Sequence, residues 1–300
     1  MAPDEGDTSR ADELRERRRL VSLAFRMLGT VAEAEDAVQE TYVRWYRLSQ
    51  DERDAIAVPP AWLTRVTSRV CLDILGSARR RRERYVGPWL PEPVPAYAFP
   101  APTDSVADPL ERAALDDSIS TALLLVLESM TPAERVSFVL HDVFAMPFDE
   151  IAEIVGRTPA ACRQLASSAR RRVQQDRGRP VSRAAHDEVV RAFAAAARSG
   201  DLAGLIAVLD TEVVLRSDGG GVVTAARKPV VGAGKVARFL LGALRKDPNT
   251  VVLEQETVDG LGFALQDEGR IVGVVTLDVA DGSITDVRIV MNPGKLTLWS

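Results

Sequence analysis

Residues 148–173 read FDEIAEIVGRTPAACRQLASSARRRV, and this stretch decides the fold of the middle of the chain. In its second half, apolar residues recur every three or four positions: Cys162, Leu165, Ala166, Ala169 and Val173. This spacing predicts one buried face of a helix. Thr158 and Pro159 are typical of a helix start. Gly156 indicates a tight turn with a small residue where two helices cross, so the stretch predicts a helix-turn-helix.

The opposite face of this second helix is polar. It comprises Arg163, Gln164, Ser167, Ser168, Arg170 and Arg171. Amides, hydroxyls and guanidiniums on one helix face are what reading of base edges in the DNA major groove requires. An ordinary helical hairpin with a solvated arginine face remains the open alternative.

Composition and charge limit the class of protein. The chain has 300 residues and 46% hydrophobic content, which is enough for two or three domains with apolar cores. Its formal net charge is −5, but the arginines are unevenly spread. The segment 160–183 holds seven Arg against one Asp, and 79–84 holds five Arg around Glu83. Such local basic patches attract phosphates whatever the total charge.

Cysteine usage and hydropathy indicate the compartment. Cys71 and Cys162 both fall on predicted apolar helix faces, which favours buried thiols in a reducing cytoplasm. The segment 1–12 is polar rather than a signal sequence, and no apolar run of 18 residues is present to span a membrane. We therefore expect a cytoplasmic protein without a metal cluster, a cofactor or a membrane contact.

The segment 11–85 has a helical pattern nearly throughout. Gly29 and Thr30 separate its first apolar stripe from a second one, which is surrounded by acidic residues. A loop with Pro59 and Pro60 precedes a third long helix, which begins near Trp62 and runs into the arginine cluster. This part of the chain is therefore predicted to be an all-α domain.

A proline-rich segment then interrupts the helices. Residues 86–115 contain seven prolines, which exclude a regular helix and predict an extended linker. Its aromatic residues are unusual for a spacer, and they favour docking on a partner or on a neighbouring domain. Helices resume over 116–176, the part that includes the helix-turn-helix.

The last part, 186–300, changes character. Helices are predicted over 186–198, 201–209 and 235–245, with a short strand at 212–216. Strands follow over 251–258, 262–266, 270–279 and 284–290, separated by Asp-Gly and Asp-Glu-Gly turns. Helices followed by a meander predict an α+β domain whose curved antiparallel sheet wraps on helices. Such a sheet often leaves a cavity.

Several short motifs occur in a fixed order. Residues 34–41 read AEDAVQET, and 61–63 read AWL ahead of Leu72, Asp73 and the arginine cluster. Further motifs are Trp89-Leu90-Pro91-Glu92-Pro93, Asp218-Gly219-Gly220-Gly221 and Asn292-Pro293-Gly294-Lys295-Leu296. With the helix-turn-helix, they make the chain resemble an extracytoplasmic-function member of the bacterial sigma-70 family with a fused C-terminal SnoaL-like domain of the NTF2-like superfamily. The resemblance covers nearly the whole chain.

The resemblance implies a role in transcription initiation. Residues 11–85 would be sigma region 2, 116–176 region 4 and 186–300 a regulatory domain that acts in cis on the linker through the last three motifs. The partners would be core RNA polymerase, through the β′ clamp helices and the β flap, and promoter DNA. Polymerase-binding residues would be Glu35, Asp36, Gln39, Glu40, Tyr42 and Trp45. The −10 element would be held by Trp62, Arg65, Arg69, Arg79 and Arg80, and the −35 element by the polar face of the recognition helix.

The chain departs from the family pattern at two positions. Ser168 stands where many family members have Arg, and Gly294 stands where Asp is usual, which puts the contacts of those side chains in doubt.

Two rival functions remain open. An enzyme is one rival, since His186, Asp218, Asp259 and Asp278 offer general bases. A ligand-sensing DNA-binding regulator, with a small molecule in the cavity, is the other.

Overall fold

The computed structural model describes residues 5–82, 85, 87–98, 120–176 and 181–299, with side chains omitted at 5–11, 78–82 and 176. The chain divides into two compact units. The helical unit comprises Met1–Arg81 and Val126–Gln174, and the C-terminal unit comprises Arg82–Leu125 and Gln175–Ser300.

The first half of the helical unit follows the predicted pattern. Its helices are α1 Glu5–Leu28, α2 Val31–Arg47, α3 Gln50–Asp54 and α4 Pro59–Arg82. The break predicted at Gly29 and Thr30 is confirmed, because the Thr30 hydroxyl oxygen caps α2 by accepting the Glu33 amide. The loop predicted around Pro59 and Pro60 is wrong, since both prolines lie in the first turn of α4. Proline is tolerated there because the first helical amides have no partner within the helix.

The second half contains the helix-turn-helix. Its helices are the end of α5 Thr121–Glu128, whose residues 121–125 belong to the C-terminal unit, α6 Pro132–Phe138 with a π turn over Val139–Val143, α7 Phe148–Val155 and α8 Pro159–Asp176. Thr158 caps α8 as predicted, because its hydroxyl oxygen accepts the Ala161 amide at 3.2 Å. The reason predicted for Gly156 is wrong: a Cβ there meets no atom within 4 Å, and the residue is needed for its left-handed backbone, with φ of 69°.

Both cysteines lie in the core of the helical unit. Cys71 and Cys162 are free thiols without measurable exposure, as the sequence predicted. Burial raises the pKa of both thiols, so they remain protonated at neutral pH. Phe25, Val38 and Ala169 of the same unit are also fully buried. No helix in the described parts of the chain is long and apolar enough to cross a membrane.

The C-terminal unit combines three helices with a sheet. Its helices are α9 Arg183–Ser199, α10 Leu202–Val208 and α11 Ala233–Lys246. The strands are β1 Leu209–Asp218, β2 Val230–Val231, β3 Val251–Thr257, β4 Gly260–Asp267, β5 Arg270–Ala280 and β6 Ser283–Val290. They form one six-stranded sheet in the order β2-β1-β6-β5-β4-β3. The predicted α+β class is confirmed, with two details to correct.

The first detail is strand direction. The meander β3–β6 is antiparallel, but β1 pairs parallel with β6 because the chain crosses from β1 to the far edge of the sheet through α11. The second is the two-residue strand β2, which the sequence analysis missed because so short a run shows no alternation. Apolar side chains of α9 and α11, among them Val190, Phe193 and Leu240, pack on one face of the sheet and fill the core of this unit.

Candidate functional site

The acidic face of α2 is open to solvent. Glu35, Asp36 and Gln39 are exposed, while Val38 and Thr41 of the same helix are buried. The Thr41 hydroxyl lies 3.0 Å from that of Thr67 in α4, and this buried contact sets the rotation of α2. The polar residues predicted to bind polymerase therefore share one accessible face.

The aromatic residues of α2 border this face. Tyr42 and Trp45 are half-buried, and the Trp45 ring lies 5.2 Å from the Trp62 ring of α4. Partial burial and the nearby Glu16 carboxylate raise the pKa of Tyr42, so its hydroxyl stays neutral. Glu40 is partly engaged, because its carboxylate accepts from Arg44 at 2.9 Å.

The basic side of α4 faces the helix-turn-helix. Arg65 Nη1 lies 3.1 Å from the Glu153 carboxylate on α7, and Arg69 donates to the Glu153 carbonyl at 3.1 Å. In this arrangement Glu153 of α7 contacts both of these arginines, which were predicted to bind DNA. The side chains of Arg79 and Arg80, also predicted to bind DNA, lie outside the described residues.

The recognition helix α8 presents only part of its predicted polar face. Arg163, Gln164, Ser167 and Arg171 are exposed. Ser168 and Arg170 are half-buried instead, because each meets a carboxylate of the preceding helices: Glu134 and Asp142, respectively. These acidic partners are distant in sequence, so helical periodicity alone did not reveal them.

Arg135 is a residue that sequence reasoning missed. It is 3% exposed, and its guanidinium donates to the Met27 carbonyl of α1 at 2.8 Å and to the Leu127 carbonyl at 2.9 Å. Glu128 pairs with it at 2.6 Å. A buried arginine so bonded ties α1 to the second half of the helical unit. Its neighbours Glu134 and Ser137 are polar, so the sequence of α6 offered no signal that Arg135 is buried.

A second cluster lies in the C-terminal unit around Asp218. This carboxylate is 1% exposed and accepts hydrogen bonds from the Tyr85 hydroxyl at 2.6 Å and from the Leu90 amide at 3.0 Å. It also accepts from the Gly220 amide at 2.9 Å. Burial and hydrogen bonding to Asp218 raise the pKa of Tyr85. The carboxylate thus holds the beginning of the linker.

Lys295 completes the Asp218 cluster. Its buried ammonium lies 2.7 Å from Asp218 Oδ2 and donates to the Leu90 carbonyl. The same ammonium lies 4.0 Å from the centroid of the Trp89 ring, within the range of a cation–π interaction. Leu90 lies 128 residues before Asp218, and Lys295 lies 77 residues after it, so three predicted motifs meet at one ion pair.

The remaining motif residues pack around this pair. Leu90 and Leu296 are buried in one small apolar cluster on the sheet, and Trp299 donates to the Pro93 carbonyl at 2.8 Å. Gly220 allows close approach, since a Cβ there would lie 2.5 Å from Asn292 Cγ. Gly294 is exposed, so the missing aspartate of this motif leaves no gap in the buried cluster.

Docking of the linker on the C-terminal unit is therefore confirmed for residues 87–98. Pro91 to Pro93 are buried, and the Glu92 carboxylate accepts from the Thr297 hydroxyl at 3.3 Å. The rest of the predicted linker lies outside the described residues.

The residues considered as general bases each have hydrogen-bond or ion-pair partners. His186 Nδ1 is 3.0 Å from Asp187, and its Nε2 is 3.0 Å from the Leu277 carbonyl. Asp278 pairs with Arg288, and Asp259 accepts from Thr121. A cavity of about 170 Å³ beside the Asp218 loop is lined by Ser217, Arg227 and neighbouring backbone.

Comparisons with known proteins identify the family of the chain. The Sigma-70 region 2 model matches residues 14–83, and the Sigma-70 region 4 model matches residues 120–173. The chain belongs to the extracytoplasmic-function sigma-70 family, and it is a subunit that directs RNA polymerase to promoters. The family prediction made from the motifs is confirmed.

Relatives cover nearly the whole chain. The ECF RNA polymerase sigma factor SigJ of Mycobacterium tuberculosis is 39% identical over 94% of this chain and 91% of its own length. A probable ECF sigma factor of the same species, SigI, is 38% identical over 92% and 91%. The crystal structure of SigJ superposes with a TM-score of 0.73 at 36% identity, covering 96% of this chain and 98% of that one.

Proposed function

We propose that the acidic face of α2 binds core RNA polymerase and that α4 and α8 bind the two promoter elements. The exposed carboxylates of Glu35 and Asp36, bordered by Tyr42 and Trp45, supply a charged rim with aromatic anchors. This is the composition of a protein interface. The β′ clamp helices are the proposed partner of this face, and the β flap is the proposed partner of region 4. Both partners place the protein in the cytoplasm.

The exposed residues of α8 carry the proposed reading of the −35 element. Arg163 and Gln164 project from the first half of the helix, where a recognition helix meets base edges. Arg65 and Arg69 of α4, with Trp62, are suited to a separated −10 strand, because basic and aromatic side chains together bind single-stranded DNA. Glu153 competes with DNA for both arginines, through its carboxylate for Arg65 and through its carbonyl for Arg69.

The C-terminal domain then regulates the sigma regions in cis. The observation that carries this proposal is the buried Asp218–Lys295 pair, which binds the linker at Tyr85, Trp89 and Leu90. Separation of regions 2 and 4 on a promoter requires a linker that can change its conformation. Docking of the linker reduces that freedom. Because the partners are tethered, even weak contacts stay occupied at an effective concentration on the order of mM.

The two rival functions are less well supported. His186, Asp259 and Asp278 all hold structural hydrogen bonds, which favours a non-enzymatic domain. The cavity of about 170 Å³ beside Asp218 is lined by the loop at residues 219–227 and not by the face of the sheet that packs on α9 and α11, so it does not support a ligand between sheet and helices. Transcription from a defined promoter with core polymerase alone separates a sigma factor from both rivals.

The polymerase interface is tested by reversing its charge. We expect Asp36→Lys combined with Glu40→Lys to abolish co-purification with core polymerase, because two carboxylates at the rim become repulsive. Glu188→Lys with Glu212→Lys, on exposed sites of the C-terminal domain, makes the same charge change and should co-purify normally. Unchanged binding of the α2 variant contradicts the assigned interface. Sequencing DNA bound to the wild-type holoenzyme identifies both promoter elements.

A further inference from the structure

The chain segments on both sides of region 4 meet at one turn of the C-terminal domain. This turn, Thr257–Gly260, joins β3 to β4 and is called the hub turn below. On its linker side, the Val258 amide donates to the Val94 carbonyl at 3.1 Å. Next to it, the Ala96 amide donates to the Glu256 carbonyl at 3.0 Å. The linker thereby adds a short bridge to the open edge of β3.

The first helix of region 4 begins at the same turn. The Thr121 amide donates to Asp259 Oδ1 at 2.7 Å, and the Thr121 hydroxyl donates to Asp259 Oδ2. Ser120 caps the helix locally, since its hydroxyl oxygen accepts the Leu123 amide at 3.3 Å. Asp259 therefore supplies a second cap from a distant part of the chain, with its negative charge at the positive end of the α5 dipole.

The helix that follows region 4 is also held there. Arg183 at the start of α9 donates to the Thr257 carbonyl at 3.3 Å and pairs with Glu256. The His186 ring packs directly on Gly260, where a Cβ would lie 2.5 Å from Cε1. Contacts from the linker, from the start of α5 and from α9 thus meet at the hub turn.

The hub turn is itself rigid. Thr257 is 1% exposed, its hydroxyl donates to the Gly260 carbonyl at 2.8 Å, and its hydroxyl oxygen accepts the Asp259 amide at 3.1 Å. These bonds hold the backbone of the turn at Asp259.

We propose that Asp259 is a positioning residue for −35 recognition: it caps and anchors the start of α5, the first helix of region 4. This inference rests on the proposed reading of the −35 element by α8. It assigns a role to a residue outside the linker-binding motifs.

The test uses full-length Asp259→Ala, which the backbone accommodates because position 259 is not among the described residues of positive φ. Hydrogen exchange of the amides of residues 121–124 should quicken about fivefold, as expected for loss of a helix cap. Transcription is measured from a promoter recovered with the wild-type holoenzyme, with its −35 element intact or scrambled. The ratio of the two rates should fall as well.

Two further variants make the result specific. Asp267→Ala removes a carboxylate at the other end of β4, for which no hydrogen bond is found among the described residues, and should leave exchange and ratio as in the wild type. Asp259→Asn keeps one acceptor oxygen for the Thr121 amide and should give intermediate values. A purely structural defect lowers transcription from both promoters equally and leaves the ratio intact.

Either of two results overturns the inference: unchanged exchange at 121–124, or faster exchange with an unchanged −35 ratio. Failure of the proposed function looks different. In that case the wild-type protein itself shows no dependence on a −35 element, whereas hydrogen exchange still reports whether Asp259 anchors α5.

Discussion

Lys295 and Asp218 are both withdrawn from water, and their contact at 2.7 Å joins the end of the chain to the linker. Replacing Lys295 by Met leaves a buried carboxylate without its cation, so we expect a loss of about 3–5 kcal/mol in the free energy of unfolding. Denaturant unfolding of the full-length protein measures this loss.

The matched variants separate charge from packing. Lys235→Met, on an exposed site of α11, should change stability little. Asp218→Asn combined with Lys295→Met removes both charges and should recover part of the loss. A double variant no more stable than Lys295→Met alone argues against an unpaired charge as the cause.

Base reading also belongs to single residues. Gln164→Ala should relax sequence preference in the −35 element by about 1–3 kcal/mol, since a bidentate amide distinguishes adenine from other bases. Arg171→Ala should weaken binding on all sequences and reduce the salt slope by about one, as expected for a phosphate contact. A randomised promoter library measures both. Gln174→Ala, further along α8, is the control, and an unaltered preference in Gln164→Ala refutes the assigned role.

At the scale of elements, the end of α7 shows why glycine is needed in the helix-turn-helix. Gly156 has a left-handed backbone with free space around it, so Gly156→Ala should destabilise the protein by about 1 kcal/mol through strain alone. Gly242 in the middle of α11 also has free space but an ordinary helical backbone, so Gly242→Ala should stabilise by about 0.5–1 kcal/mol. Thermal unfolding of both variants checks the opposite signs; equal effects contradict this explanation.

Helices and strands of this chain followed closely from periodicity. The meander β3–β6 was predicted within two residues at each end, because alternation and Asp-Gly turns act locally. Strand β2 and the parallel pairing of β1 were not predictable in this way. Both depend on the position and direction of the strands that the crossover through α11 connects. That position is set by the whole sheet and not by the local sequence.

At the scale of the whole molecule, the proposed regulation in cis depends on the last nine residues. Truncation before Asn292 removes Lys295, so we expect it to change transcription in the same direction as Lys295→Met. Removal of everything after Arg183 should change transcription differently, because it abolishes both the linker site and the hub turn. In vitro transcription at matched protein levels compares these variants with the full-length chain.

Equal transcription by the full-length protein, both truncations and Lys295→Met contradicts regulation in cis. The C-terminal domain is then a passive module. Binding to core polymerase serves as the control in each case, because none of these changes touches the acidic face of α2.

The amino-acid sequence by itself determined the family, the order of the regions, the helix-turn-helix and the α+β class of the last domain. It could do so because periodicity, caps and short motifs act over a few residues. Only the tertiary structure decided which distant groups meet: Glu153 with Arg65 and Arg69, and Asp259 with Thr121. Such pairs form across many residues of chain, and each partner alone looks like an ordinary exposed charge or a turn residue. Burial and packing bring them together, and no local pattern encodes that.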